Sequence, residues 1–106
     1  MIRLWLCCGL SLVLGATGAI AAGYDDFADG LAAVTRGDND RAIVAFTAAL
    51  AAGDLSANLV PVAYVDRARA HLGKRECAAS MSDVDAALKL KQDYLDAFLL
   101  RAEADG

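Results

Sequence analysis

Two stretches of this chain are one helical pattern written twice. Asn39 to Leu50 (NDRAIVAFTAAL) lies over Cys77 to Leu88 (CAASMSDVDAAL) at a constant offset of 38. A small residue, a bulky apolar residue, an alanine and a leucine recur in step: Ala42, Phe46, Ala49 and Leu50 against Ser80, Val84, Ala87 and Leu88. A second echo has an offset of 34, where Tyr64-Val65-Asp66-Arg67-Ala68-Arg69-Ala70 returns as Phe98-Leu99-Leu100-Arg101-Ala102-Glu103-Ala104. Self-similarity with a period of roughly 20–50 residues is the signature of stacked repeats, because each unit buries its apolar face only against its neighbours. Such arrays build extended binding surfaces more often than reaction centres.

The start of the chain, Met1 to Ala22, stands outside this pattern. Arg3 is followed by an apolar run from Leu4 to Leu14 and then by small residues that include Ala19-Ile20-Ala21. A positive start, an apolar core and an Ala-x-Ala end describe a secretory signal. Residues 1–21 are therefore expected to be removed, with cleavage after Ala21. The uncharged stretch from Leu4 to Ala22 is also long enough to span a bilayer, so an N-terminal membrane anchor is the alternative. Leu4-Trp5-Leu6-Cys7 imitates a lipoprotein box, but it comes before an apolar core has formed.

Cleavage leaves residues 22–106 as one small domain with nine Lys/Arg against fourteen Asp/Glu. That acidic balance argues against nucleic acid, which needs clustered cations, and against anionic membrane surfaces. Cys77 would be the sole remaining cysteine, so no internal disulfide is expected.

Five helices account for the domain. The first runs from about Tyr24 to Arg36, with Phe27, Leu31 and Val34 at i, i+4, i+7. Gly30 lies inside it, which points to a close backbone approach. Gly37 suits the left-handed position after a helix, and Asp38 or Asn39 suits the cap of the next one. The second helix reaches about Ala52, and Gly53 to Asn58 forms a loop. Pro61 belongs to a first helical turn, so Asn58 is the expected cap of the third helix, which ends near Gly73. The fourth helix has Met81, Val84, Ala87 and Leu88. The fifth begins near Tyr94, capped by Asp93, and carries Leu95, Phe98, Leu99 and Ala102. Short connections make neighbouring helices antiparallel. No segment carries the period-two alternation of a strand.

These residues resemble tetratricopeptide repeats (TPR). The resemblance rests on Gly30, the Gly37-Asp38 turn and Ala42, Phe46, Ala49 and Leu50 in a first unit. Tyr64, Ala68, Val84, Ala87 and Leu88 carry it in a second. Asp93 to Phe98 with Arg101-Ala102 resembles the opening of a third. The resemblance implies an all-α fold of antiparallel helix pairs stacked as a short superhelix, about two and a half repeats. Repeat 1 would span about 24–53, repeat 2 about 59–91, and a partial repeat or capping helix about 94–106. The first offset exceeds the family's by four residues, which fall between Gly53 and Pro61. Asp26 and Asp29 stand where the family often has large apolar residues, so the first helix is expected to fray. The third unit has no second helix: either helix five is a terminal cap or the chain is a fragment of a longer array.

In this family the first helix of each pair lines a concave groove. The resemblance therefore implies a partner-binding groove of Phe27, Leu31, Val34, Val65, Arg69 and Leu72, suited to an apolar or amphipathic protein segment. The other reading is that these side chains simply pack between helices. Family members that clamp a C-terminal carboxylate use an Asn where this chain has Asp66, which would repel the ligand, so the clamp is not carried over. Arg67 and Arg101 recur at 34 and suit an acidic partner, or else snorkel and pair with a neighbouring acid. His71 has no catalytic or metal-binding companions in sequence and reads as a packing residue. Cys77 reads as a small buried residue, with an intermolecular disulfide as the alternative. The carboxylates are scattered singly, and no cofactor, metal or catalytic constellation is expected. The resemblance and the signal together imply an exported protein-protein interaction adaptor of a bacterial envelope, periplasmic, binding a protein or peptide and neither nucleic acid nor membrane once the signal is cleaved. The alternative is a self-associating module, a homo-oligomer formed through helix five with Leu99 and Leu100 at the contact.

Overall fold

The computed structural model describes residues 22–105, which fold into helices joined by short turns, with no strand among them. Residue Gly106 and the expected signal, residues 1–21 with Cys7 and Cys8, lie outside the described residues. Helix α1 covers 22–36. It is followed by α2 (Asn39–Ala52), α3 (Val60–Gly73), α4 (Cys77–Leu90) and α5 (Leu95–Asp105). Consecutive helices pack on one another, and α5 also touches α3. Asp26 and Asp29 do not interrupt α1, and Asp29 bonds across to Arg41 of α2 at 2.6 Å.

The turns explain why the helices stop. Gly37 takes φ 73°, its N–H donates to Val34 (3.0 Å), and the Asp38 N–H donates to Ala33 (2.9 Å). That pair of bonds is the Schellman arrangement, which satisfies the last carbonyls of α1. The same two bonds end α3, again at the offset of 38. There Arg75 takes φ 63°, its N–H donates to Leu72 (2.9 Å), and Glu76 donates to His71 (2.9 Å). Asp38 caps α2 by accepting the Arg41 N–H.

Two expected caps are corrected. Leu59, not Asn58, precedes α3, and no side chain caps it. Asn58 instead bonds to Ser56 inside the preceding turn. Pro61 occupies the first turn, where its missing N–H leaves nothing unsatisfied. At α5, Ala97 and Phe98 donate to the Tyr94 carbonyl, so the helix starts from Tyr94 and leaves Asp93 exposed outside it.

The duplication extends to burial. Ala42, Ala45, Phe46 and Ala49 are the buried residues of α2. Ser80, Asp83, Val84 and Ala87, each at the same offset, are those of α4. The offset also relates α1 to α3: Gly23, Phe27 and Gly30 are buried, and so are Pro61, Val65 and Ala68. One core joins Phe27, Ala33, Ala42, Phe46, Ala49, Ala63 and Ala70; the next joins Val65, Ala68, Val84, Ala87, Ala97 and Leu100. Alanine at so many contacts brings helix axes close, and each bulky residue fills what remains.

In α5 the expected core face is reversed. Ala97 and Leu100 are buried, matching Ala63 and Asp66 at the offset of 34, whereas Leu95, Phe98, Leu99 and Ala102 are exposed. The helix is apolar on opposite sides, so periodicity alone leaves its inward face undetermined.

Candidate functional site

The six residues expected in a groove divide into two groups. Phe27 meets Phe46 edge-on with ring centroids 5.8 Å apart, and Val65 is 1% exposed beside Val84 and Ala87. Both are core residues with no surface to offer a partner. Val34 packs against the first core, and Leu31 is 39% exposed on α1 because the small residues Gly30 and Ala33 take the inward positions. Arg69 and Leu72 come together. With Gly73 of α3 and Leu100 and Glu103 of α5 they line an open groove of about 330 Å³.

The groove is held in shape by charge pairs. Arg69 bonds Asp66 one turn back at 3.0 Å and reaches Asp96 of α5 at 3.9 Å. Burial raises the Asp66 carboxyl above its ordinary range, and the Arg69 cation opposes that shift only in part. Tyr94 is likewise raised, chiefly by burial and then by Asp96 and Asp66. Gly73 presses on α2, where a Cβ would lie 2.6 Å from the Asn39 amide nitrogen. The result is an apolar lining of Leu72 and Leu100 with one cation, Arg69, and one anion, Glu103. Such a lining sets apolar side chains beside opposite charges and holds no nucleophile paired with a base.

A second polar cluster ties α2, α3 and α4 together. Arg67 grips Asp83 with two bonds of 2.8 and 2.6 Å and also donates to the Thr47 hydroxyl at 3.1 Å. The Asp83 bonds raise the Arg67 guanidinium further above its already high range. His71 is 2.9 Å from Glu76 and 3.8 Å from the Asp83 carboxylate, so this histidine joins α3 to the start of α4. Glu76 is held below its ordinary range, first by the His71 bond, and Lys74 is raised by its bond to Asp40. Arg67 is thus paired with an acid of its own fold, and Asp85, two positions from buried Asp83, faces solvent. Cys77 opens α4 on the surface, exposed, instead of being the buried residue expected from its type. Leu100 is 4% exposed, which removes it from any helix-five contact with a second copy, while Leu99 is 60% exposed.

Sequence reasoning missed Leu100 and Glu103 as partners of Arg69 and Leu72. The offset of 34 pairs α5 with α3 as equivalents; that the two helices also touch is a matter of packing. Among the described residues no group of three His, Cys, Asp or Glu is placed to hold a metal, and no helix is long and apolar enough to cross a membrane. No protein-family model, curated protein or solved structure matches the chain.

Proposed function

We propose that this chain is a small exported adaptor of the TPR type. It acts in the bacterial envelope, in the periplasm once residues 1–21 are removed, and it is not an enzyme. It holds a segment of a partner protein in the groove between α3 and α5, with an apolar side chain against the half-buried Leu72 and an acidic group toward Arg69. The observation that carries the reading is the repetition, at one offset of 38, of both the buried positions and the left-handed turn. A chain that stacks duplicated helix pairs is organised around extended surfaces, and surfaces of this kind bind other chains. The groove's lining adds support, since it pairs apolar side chains with an accessible cation and anion.

Capture of envelope proteins by the purified chain tests it. Leu72→Glu and Arg69→Gln alter the two groove residues; Leu72 also packs against the second core and Arg69 pairs with Asp66, so capture is compared only for variants that keep full helical circular dichroism. Each loses at least about tenfold in capture, equivalent to about 1.4 kcal/mol. Equal capture by wild type and both variants removes the groove from the account. Intact mass of the exported chain checks the signal: the expected first residue is Ala22.

A further inference from the structure

One wall of the groove carries a charge without a counterpart. At the offset of 34 Glu103 takes the place of Arg69, so equivalent positions of α5 and α3 bear opposite charges and line the same groove. The two do not pair with each other. Arg69 turns instead to Asp66 at 3.0 Å and to Asp96 at 3.9 Å. Glu103 is exposed and takes part in none of the ion pairs among the described residues. Asp96, Leu100 and Glu103 follow at i, i+4 and i+7, so they share one side of α5. Arg69 and Leu72, at i and i+3, share one side of α3. Three carboxylates, Asp66, Asp96 and Glu103, thus stand around one cation. Asp66 is buried beside Arg69, so the surplus negative charge open to a partner sits at Asp96 and Glu103.

We propose that the groove selects its partner segment by a basic side chain, Lys or Arg, next to an apolar one. This rests on the groove reading above and adds the charge that selects the segment. The base meets Glu103 while the apolar side chain lies against Leu72. An acid at Arg69 competes with Asp66 and Asp96 for a cation already shared, so it contributes less than the base does. Charge complementarity of this kind sets which segment is chosen more than how tightly it is held.

The test is selection of phage-displayed random short peptides on the folded chain, followed by titration of an enriched synthetic peptide. The enriched sequences carry Lys or Arg within about four residues of Leu, Ile, Val, Met or Phe, the reach of one helical turn. Glu103→Lys weakens such a peptide roughly fivefold, the scale of one exposed ion pair. Replacing the peptide's base with Glu restores its binding to the Glu103→Lys chain. Asp85→Lys changes an exposed acid of α4 outside the groove and leaves the affinity unchanged, which separates a local charge from the overall acidic balance. No enrichment, or enrichment of peptides without a base, overturns the proposal. So does equal weakening by Glu103→Lys and Asp85→Lys. A peptide weakened by Leu72→Glu or Arg69→Gln but indifferent to Glu103→Lys overturns the proposal and leaves the groove standing. Indifference to all three overturns both.

Discussion

Beneath the Phe46 ring there is room for a hydrogen at position 30 but not for a methyl group. A Cβ at Gly30 would lie 2.7 Å from the ring edge. In the second unit the equivalent pair is Ala68 and Val84, both buried in one core. The large ring with glycine and the smaller side chain with alanine are alternative solutions to one packing problem. Gly30→Ala therefore destabilises the fold. Overpacking costs about 1–3 kcal/mol, against a helix-propensity gain of about 1 kcal/mol. Phe46→Val alone opens a cavity. Combining the two recreates the second unit's pair, so the double variant is more stable than the sum of the singles by at least about 0.5 kcal/mol. Urea unfolding of the four chains measures this, and strict additivity would refute the equivalence. The need for a close approach at Gly30 was readable in the sequence, because glycine inside a helix demands a reason. The α1–α3 repetition was not: Phe27 against Val65 and Gly30 against Ala68 keep burial while exchanging size.

The turns that end α1 and α3 make identical hydrogen bonds from different residues. Gly37 adopts its left-handed φ without cost, whereas Arg75 at φ 63° does so against its Cβ. Arg75→Gly should stabilise the chain by about 0.5–1 kcal/mol, the strain relieved less the added freedom of the unfolded chain. A lower thermal midpoint for this variant would contradict that. Helix α3 also carries Asp66, buried where α5 has Leu100. Its carboxyl is raised above the ordinary 3.8, so the fold favours the protonated form. A raised group stabilises below its unfolded pKa and loses that contribution as pH rises through its folded value. Asp66→Leu removes the buried charge together with its Arg69 pair, and because burial outweighs that pair it should raise stability at neutral pH. The gain should shrink as the pH is lowered toward 3.8. A gain independent of pH would show that packing, not charge, was at issue. Helix number and order were legible from caps, glycines and the single proline. The inward side of α5 was not, because two apolar stripes on one helix are equivalent until a neighbour chooses between them.

At the scale of the whole molecule, the offset of 38 organises helix bounds, buried positions, turn geometry and cores together. Within the candidate groove, Arg69 and Leu72 were legible as first-helix positions of a second unit. Leu100 and Glu103 were not, since only packing brings α5 alongside α3. Likewise the Arg67–Asp83 pair joins residues on different helices with no linear spacing to announce it. An acidic balance, stacked helix pairs and a groove with apolar and charged walls support the proposal that this molecule holds another chain. Photo-crosslinking in cells tests that claim most directly, with the reactive side chain at position 72 in the groove or at Val44, exposed on α2. The account predicts one discrete crosslinked partner from position 72 that is missing from position 44. No adduct from either position, or the same adducts from both, would contradict it.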